Sequence, residues 1–187
     1  MHLHGLQGKS GDMSRFVETV NRADLWLLDR VFQPVADRLP EKTPAADVGM
    51  SLQLGAILFF LAAIVVLSFC GLASLGSSVF NILNWLIFCA FFLSITKMRQ
   101  LVRPGQANPL RSLLLGMRPL TIVFLIISLW GGVSDPGALM LVDLFMILSN
   151  LIFTVGLYLL SCQPRPPVRR TSRSRAHLTP VMGGLQD

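Results

Sequence analysis

The side chains of this chain that are placed to do chemistry are few, and they lie in stretches where a polar group is costly. The candidates are Asp143, Asn150, Asn81, Asn84 and Arg118, all within or beside long apolar runs. An ionisable group at the centre of a bilayer costs about 2.5 to 3.5 kcal/mol on insertion scales, so such groups call for a reason. Asp143 and Asn150 are seven residues apart and share one face of a helix. Asn81 and Asn84, three apart, are placed to hydrogen-bond across a bundle toward that face. One reading is an ion or proton path lined by Asp143 and Asn150, with Arg118 as an opposing charge. Depth weighs against it. Asp143 lies only about four residues inside one interface and Arg118 about six from the other, so each can reach toward water, Arg118 by snorkelling. They also sit toward opposite faces, too far apart for a direct pair. The preferred reading is interhelical contact, in which such hydrogen bonds contribute roughly 0.6 kcal/mol each.

No other constellation suggests catalysis. His2 and His4 form an HxH, but His177 is remote and no acidic or thiol cluster completes a metal site. There is no H-E-x-x-H, no G-x-S-x-G and no P-loop, because Leu3 stands where the Gly8-Lys9-Ser10 triplet needs its first glycine. The expectation is therefore a chain with no catalytic residues, no metal and no cofactor. Cys70, Cys89 and Cys162 fall at different depths and are expected as free thiols, Cys162 being a palmitoylation candidate in a eukaryotic host.

The elements that must position these groups follow from composition. The chain has 187 residues, 52% of them hydrophobic, a mean hydropathy of +0.61 and only 14% charged, which excludes an ordinary soluble domain. Spanning a membrane takes about 20 mainly apolar residues. Four segments qualify: 48–69, 79–96, 112–132 and 139–160. The third is the weakest, because its uninterrupted apolar part, 119–133, covers only about 22 Å and must be extended back through Arg118. Pro119 either starts the well-formed helix there or kinks a longer one. Connectors 71–78 and 131–137 are short and rich in Gly and Ser. The expected fold is thus an all-α integral membrane domain, 48–162, of four helices in two hairpins.

Orientation rests on Lys and Arg. Of the 16, six precede the first span, five lie at Lys97, Arg99, Arg103, Arg111 and Arg118, and five follow the last span; neither hairpin tip carries one. The positive-inside rule then places both termini in the cytoplasm. Seven acidic residues in the first 47 carry little weight in that rule. The first apolar run begins behind a polar segment too long for a signal n-region, so the first span is expected to be its own insertion signal. The net charge of +6 reads as a topology signature, and no nucleic-acid partner is expected.

The flanks differ from the membrane domain. Residues 1–13 are expected to be flexible. Over 14–47, Val17, Val20, Leu27, Leu28, Val31, Val35 and Leu39 recur at three- and four-residue spacing, which predicts a cytoplasmic amphipathic helix. Ser14 and Glu18 give an approximate cap, Pro34 a kink or division, and Pro40 an end. Its candidate contact residues are Trp26, Leu27, Val31 and Val35, lying either in the membrane interface or on a partner protein. Residues 163–187 turn abruptly to Arg, Pro and Ser, a disordered basic tail whose Arg165, Arg169, Arg170, Arg173 and Arg175 are candidate contacts to anionic lipid.

These features favour a non-catalytic subunit or accessory factor of a larger membrane complex, of secretion, conjugation, respiratory or photosynthetic type, in a bacterial cytoplasmic (inner) membrane. The alternative is a small oligomeric ion or solute transporter or channel. Expected partners are the lipid bilayer and other membrane-protein subunits or further copies of the chain. The basic connector 97–111, with Pro104 and Pro109, is a further surface for lipid or a cytoplasmic partner.

Overall fold

The computed structural model describes residues 7–40, 43–102, 106–133 and 137–164, and every regular element among them is helical. In chain order these are α1 (Gln7–Leu27), a π-helical turn (Leu28–Phe32), α2 (Gln33–Arg38), α3 (Ala45–Phe69), α4 (Leu75–Arg99), α5 (Pro109–Leu113), α6 (Met117–Trp130) and α7 (Ala138–Ser161). Three of them, α3, α4 and α7, are long and apolar enough to cross a membrane. The arginine-rich tail, including Arg165, Arg169, Arg170, Arg173 and Arg175, and the histidines His2, His4 and His177 lie outside the described residues.

Local sequence accounts for where the long helices stop. After α3, Gly71 adopts φ 64°, its N–H bonds to the Ser68 carbonyl, and Leu72 N–H reaches the Leu67 carbonyl at 3.1 Å. This pair of bonds is a Schellman motif, and the left-handed residue it needs is supplied by glycine without a Cβ clash. Ser74 Oγ then accepts from Ser77 N–H at 3.2 Å and caps α4, which begins four residues before the expected Val79.

The third expected span departs from expectation. Residues 112–132 do not form one continuous helix: α5 ends at Leu113, a turn follows, and α6 begins at Met117. Pro119 falls in the first turn of α6, where its missing N–H leaves no helical bond unmade. Fourteen residues give α6 a length of about 21 Å, short of the roughly 30 Å of a hydrocarbon core. Gly132, at φ 68°, marks its far end.

Helices α3 and α7 make the most extensive contact. Their backbones meet at Gly49 and Gly156, where a Cβ on Gly49 would lie 2.9 Å from the Gly156 carbonyl oxygen and one on Gly156 3.0 Å from the Gly49 oxygen. Such close approach is how helices associate without a hydrophobic driving force between them. Across the same seam Gln53 Nε2 donates to the Phe153 carbonyl and Ser149 Oγ to the Ala56 carbonyl, each at 2.8 Å. Helix α4 lies on α3 through Trp85, whose indole N–H donates to the Ile57 carbonyl, and through a ring series joining Phe60, Phe88 and Phe153.

The N-terminal helix starts at Gln7, seven residues before the expected Ser14, and passes Pro34 without breaking. The π turn explains how. Gln33 N–H reaches back five residues to the Leu28 carbonyl, which widens the turn just where the Pro34 ring would collide with the preceding carbonyls. Leu39, held extended at ψ 145° ahead of Pro40, ends α2.

Candidate functional site

Among the described residues, a buried polar cluster joins this N-terminal helix to the membrane domain. Asp24 on α1, Arg118 on α6 and Tyr158 on α7 meet in one place. The Arg118 side chain is 0% exposed and that of Asp24 1%. Arg118 Nη2 donates to Asp24 Oδ2 at 2.7 Å and Nε to the same oxygen at 3.0 Å, while Tyr158 O–H donates to Asp24 Oδ1 at 2.6 Å. The guanidinium also donates through Nη1 to the Arg111 carbonyl and lies 5.8 Å from the Tyr158 ring centroid. Phe32 stacks on that ring at 4.5 Å, and Leu28, fully buried, packs with Ala36, Tyr158 and Cys162. Both carboxylate oxygens and the guanidinium are therefore bonded, the condition under which a buried ion pair can recover its desolvation cost.

A second polar cluster lies one turn away, at the end of α7. Asn108 Nδ2 donates to the carbonyls of Leu160 and Cys162, both at 2.8 Å, so it caps the orphan C-terminal carbonyls of α7 from another segment. Its Oδ1 caps α5 by accepting from Leu110 N–H, and Pro109 occupies the first helical position. Gln163 then ties three segments together. Its side chain accepts from Asn108 N–H, its backbone N–H donates to Gln33 Oε1, and its carbonyl accepts from Gln33 Nε2.

The electrostatics follow one pattern. Three acids from α1 to the first turn of α3 pair with three basic residues from the end of α4 onward: Asp24 with Arg118, Asp29 with Arg111 at 2.7 Å, and Asp47 with Arg99. Only the first pair is buried; the other two are partly exposed, where screening leaves about 0 to 1 kcal/mol each. Together with Gln163, these contacts place the N-terminal segment, the connector after α4 and the end of α7 at one end of the bundle. Burial pushes the Cys162 thiol up to about 12, with the Asp37 carboxylate adding to the shift, so it is a poor nucleophile. Cys70, Cys89 and Cys162 are all free, and buried Cys162 does not present the accessible thiol that palmitoylation requires.

The expected site residues are distributed as follows. Arg118 does not snorkel to water; it is enclosed by Asp24 and Tyr158. Asn150 Nδ2 donates to Ser128 Oγ at 2.7 Å and joins α7 to α6. Asp143 is half-buried in the first two turns of α7. Asn81 and Asn84 are half-buried on α4 and make no side-chain hydrogen bond among the described residues. Leu27 packs beside Leu28 against the chain's own bundle, whereas Trp26, Val31 and Val35 face outward, Trp26 at 62% exposure. Sequence reasoning missed Asp24, Asn108 and Tyr158. A signal for Asp24 was present: it stands four residues after Val20 and four before Leu28, an acidic residue on the apolar stripe.

Compared with models of known families, with curated proteins and with solved structures, the chain matches none.

Proposed function

We propose that this chain is a non-catalytic integral membrane subunit or accessory factor of a larger membrane complex, of secretion, conjugation, respiratory or photosynthetic type, in a bacterial cytoplasmic membrane. The observation that carries the reading is the commitment of most of its fully buried polar groups among the described residues. Asp24, Arg118 and Tyr158 are closed to water and bonded to one another, and Asn108, Ser149 and Asn150 are used to hold helices together. A catalytic or conducting site needs polar groups left free to meet a substrate or ion, and these are occupied with architecture.

In this reading the chain crosses four times, with both termini cytoplasmic. Support comes from the clasp at Gln163. Because α5 and the end of α7 meet at one end of the bundle, the chain between them runs out and back. Helix α6, about 21 Å long, supplies most of the outward path and α7 the return. The outward-facing Trp26, Val31 and Val35 form the surface that α1 and α2 offer to the membrane interface or to a neighbouring subunit.

Flux measurement separates this role from transport. In vesicles reconstituted with the full chain, the expected proton and cation fluxes equal those of protein-free vesicles, for wild type and Asp143→Asn alike. A flux carried by the wild type and abolished by Asp143→Asn, at unchanged amounts of protein in the membrane, would replace the subunit reading by the transporter one.

A further inference from the structure

The last turns of α7 are wrapped by the chain itself. From Phe153 to Ser161 every residue but Val155 is buried, whereas Leu139, Met140, Leu141 and Leu144 near the start of the helix are exposed. At 24 residues α7 is about 36 Å long, so a hydrocarbon layer of roughly 30 Å centred on it ends between Tyr158 and Ser161. A helical side chain leans toward the N-terminus of its helix, which carries the Tyr158 hydroxyl back into that layer. Asp24 meets the hydroxyl at 2.6 Å, and Ile122, one turn into α6 from Arg118, packs on the same cluster. From there the contacts of the N-terminal segment move toward the end of α7, Asp29 to Arg111 and Gln33 to Gln163. The stretch from Asp24 to Gln33 therefore lies at the depth of the interfacial layer, about 5 to 7 Å thick, and covers α7 where lipid otherwise would.

The charges of this segment are sorted by face. Its acids are engaged: Asp24 by Arg118 and Tyr158, Asp29 by Arg111, Glu18 by Arg22, and Asp37 by Gln33 Nε2 at 3.1 Å. Arg30 and Arg38 are exposed and pair with no acid among the described residues. Trp26, Val31 and Val35 are exposed beside them, Arg30 standing one turn from Trp26. A protein partner buries a core of contact depleted of charge, which arginines set among three apolar side chains do not leave. A membrane boundary suits the same set, because an indole favours the level where hydrocarbon meets headgroups and a guanidinium there meets phosphate.

We infer that the outer face of α1, the π turn and α2 is a lipid contact: Trp26, Val31 and Val35 lie in the interfacial layer at this end of the bundle, and Arg30 and Arg38 hold the phosphates of anionic phospholipid. The segment is thus a collar, with one face replacing lipid around α7 and the other facing lipid in its turn. This rests on the membrane placement proposed above and decides between the two occupants named there for the surface.

The test uses the full-length chain in vesicles of phosphatidylcholine and phosphatidylglycerol, one lipid or the other brominated near the headgroup end of its acyl chains. Emission lost in Trp26→Phe isolates the signal of Trp26, and Trp130→Phe does the same for Trp130 at the far end of α6; if Trp26→Phe does not fold, Trp26→Tyr replaces it. Trp26 is expected to be quenched by bromine and shielded from aqueous iodide. Phosphatidylglycerol is expected to associate at Trp26 about fivefold or more tightly than phosphatidylcholine, the factor that one arginine near an anionic surface contributes. In Arg30→Gln/Arg38→Gln the two lipids are expected to come close to parity, with Trp26 still quenched. Quenching of Trp26 by iodide and not by bromine, while bromine quenches Trp130, overturns the lipid contact and gives the surface to a protein neighbour. Absence of bromine quenching at both indoles overturns the membrane placement itself. A lipid preference that the double variant does not move overturns the part assigned to Arg30 and Arg38. The subunit role is read by co-purification, which none of these results alters.

Discussion

Asp24 shows how one carboxylate can decide the placement of a whole segment. Without Arg118 and Tyr158 it would be an unpaired charge buried at 1% exposure, and without Asp24 the guanidinium of Arg118 would be the same. Removing one partner of such a pair costs about 3 to 5 kcal/mol, whereas replacing both by apolar side chains of similar volume is often close to neutral. Asp24→Leu and Arg118→Met are therefore each expected to lower the unfolding temperature in mild detergent sharply, and the double variant to recover much of the loss. Equal and additive losses would show that the two side chains do not act as a pair. Arg111→Gln, by contrast, is expected to cost at most about 1 kcal/mol, because its pair with Asp29 is partly exposed. Cys162 offers a check on the same packing. With its thiol raised to about 12, it stays protonated through pH 9 and is expected to resist thiolate-directed alkylation at pH 8, where exposed Cys70 reacts. Rapid labelling of Cys162 in the folded protein would mean that α2 does not cover it.

At the scale of elements, the seam between α3 and α7 is set by two glycines. A Cβ on Gly156 would meet Gln53 Nε2 and the Gly49 carbonyl oxygen, both at 3.0 Å, so Gly156→Ala is expected to destabilise by about 1 to 3 kcal/mol through overpacking. At Gly55 the nearest atom to an added Cβ is Ile152 Cγ2 at 3.8 Å, and Gly55→Ala is expected to be neutral or to stabilise by up to about 1 kcal/mol through helix propensity. Thermal unfolding of the two variants side by side distinguishes local clash from a general effect of alanine. The long apolar helices were legible in the residues, because length and hydropathy are local properties: α3, α4 and α7 contain the expected segments 48–69, 79–96 and 139–160. The third segment was not, since Leu113 and Met117 read as one run while the turn between them is set by tertiary partners, with Asn108 and Arg118 held in place by α7 and α1. Arg118 and Asn150 were singled out by type and depth, but their partners Asp24 and Ser128 lie on other helices, beyond the reach of periodicity. Pro34 was expected to disturb its helix; the form of the disturbance, a π turn completed before the ring, depends on packing at Leu28 and Phe32.

For the whole molecule, the ion pairs and the clasp at Gln163 gather the N-terminal segment, Arg99, Arg111, Arg118 and the end of α7 at one end of the bundle, and the four-crossing topology we propose makes that end cytoplasmic. Reporter fusions at Ser74 and Asp135 are then expected to read as external, and those at Gly105 and Thr171 as cytoplasmic. A cytoplasmic signal at Asp135 would mean that α6 and the residues after it turn back within the membrane. The most direct test of the central claim is purification of the tagged chain from its native membrane in mild detergent, with native mass determination and identification of what accompanies it. A particle whose mass copies of this chain alone do not account for, with other membrane proteins in fixed ratio, is the predicted result. A particle made of this chain alone, active in flux assays, would contradict the subunit role.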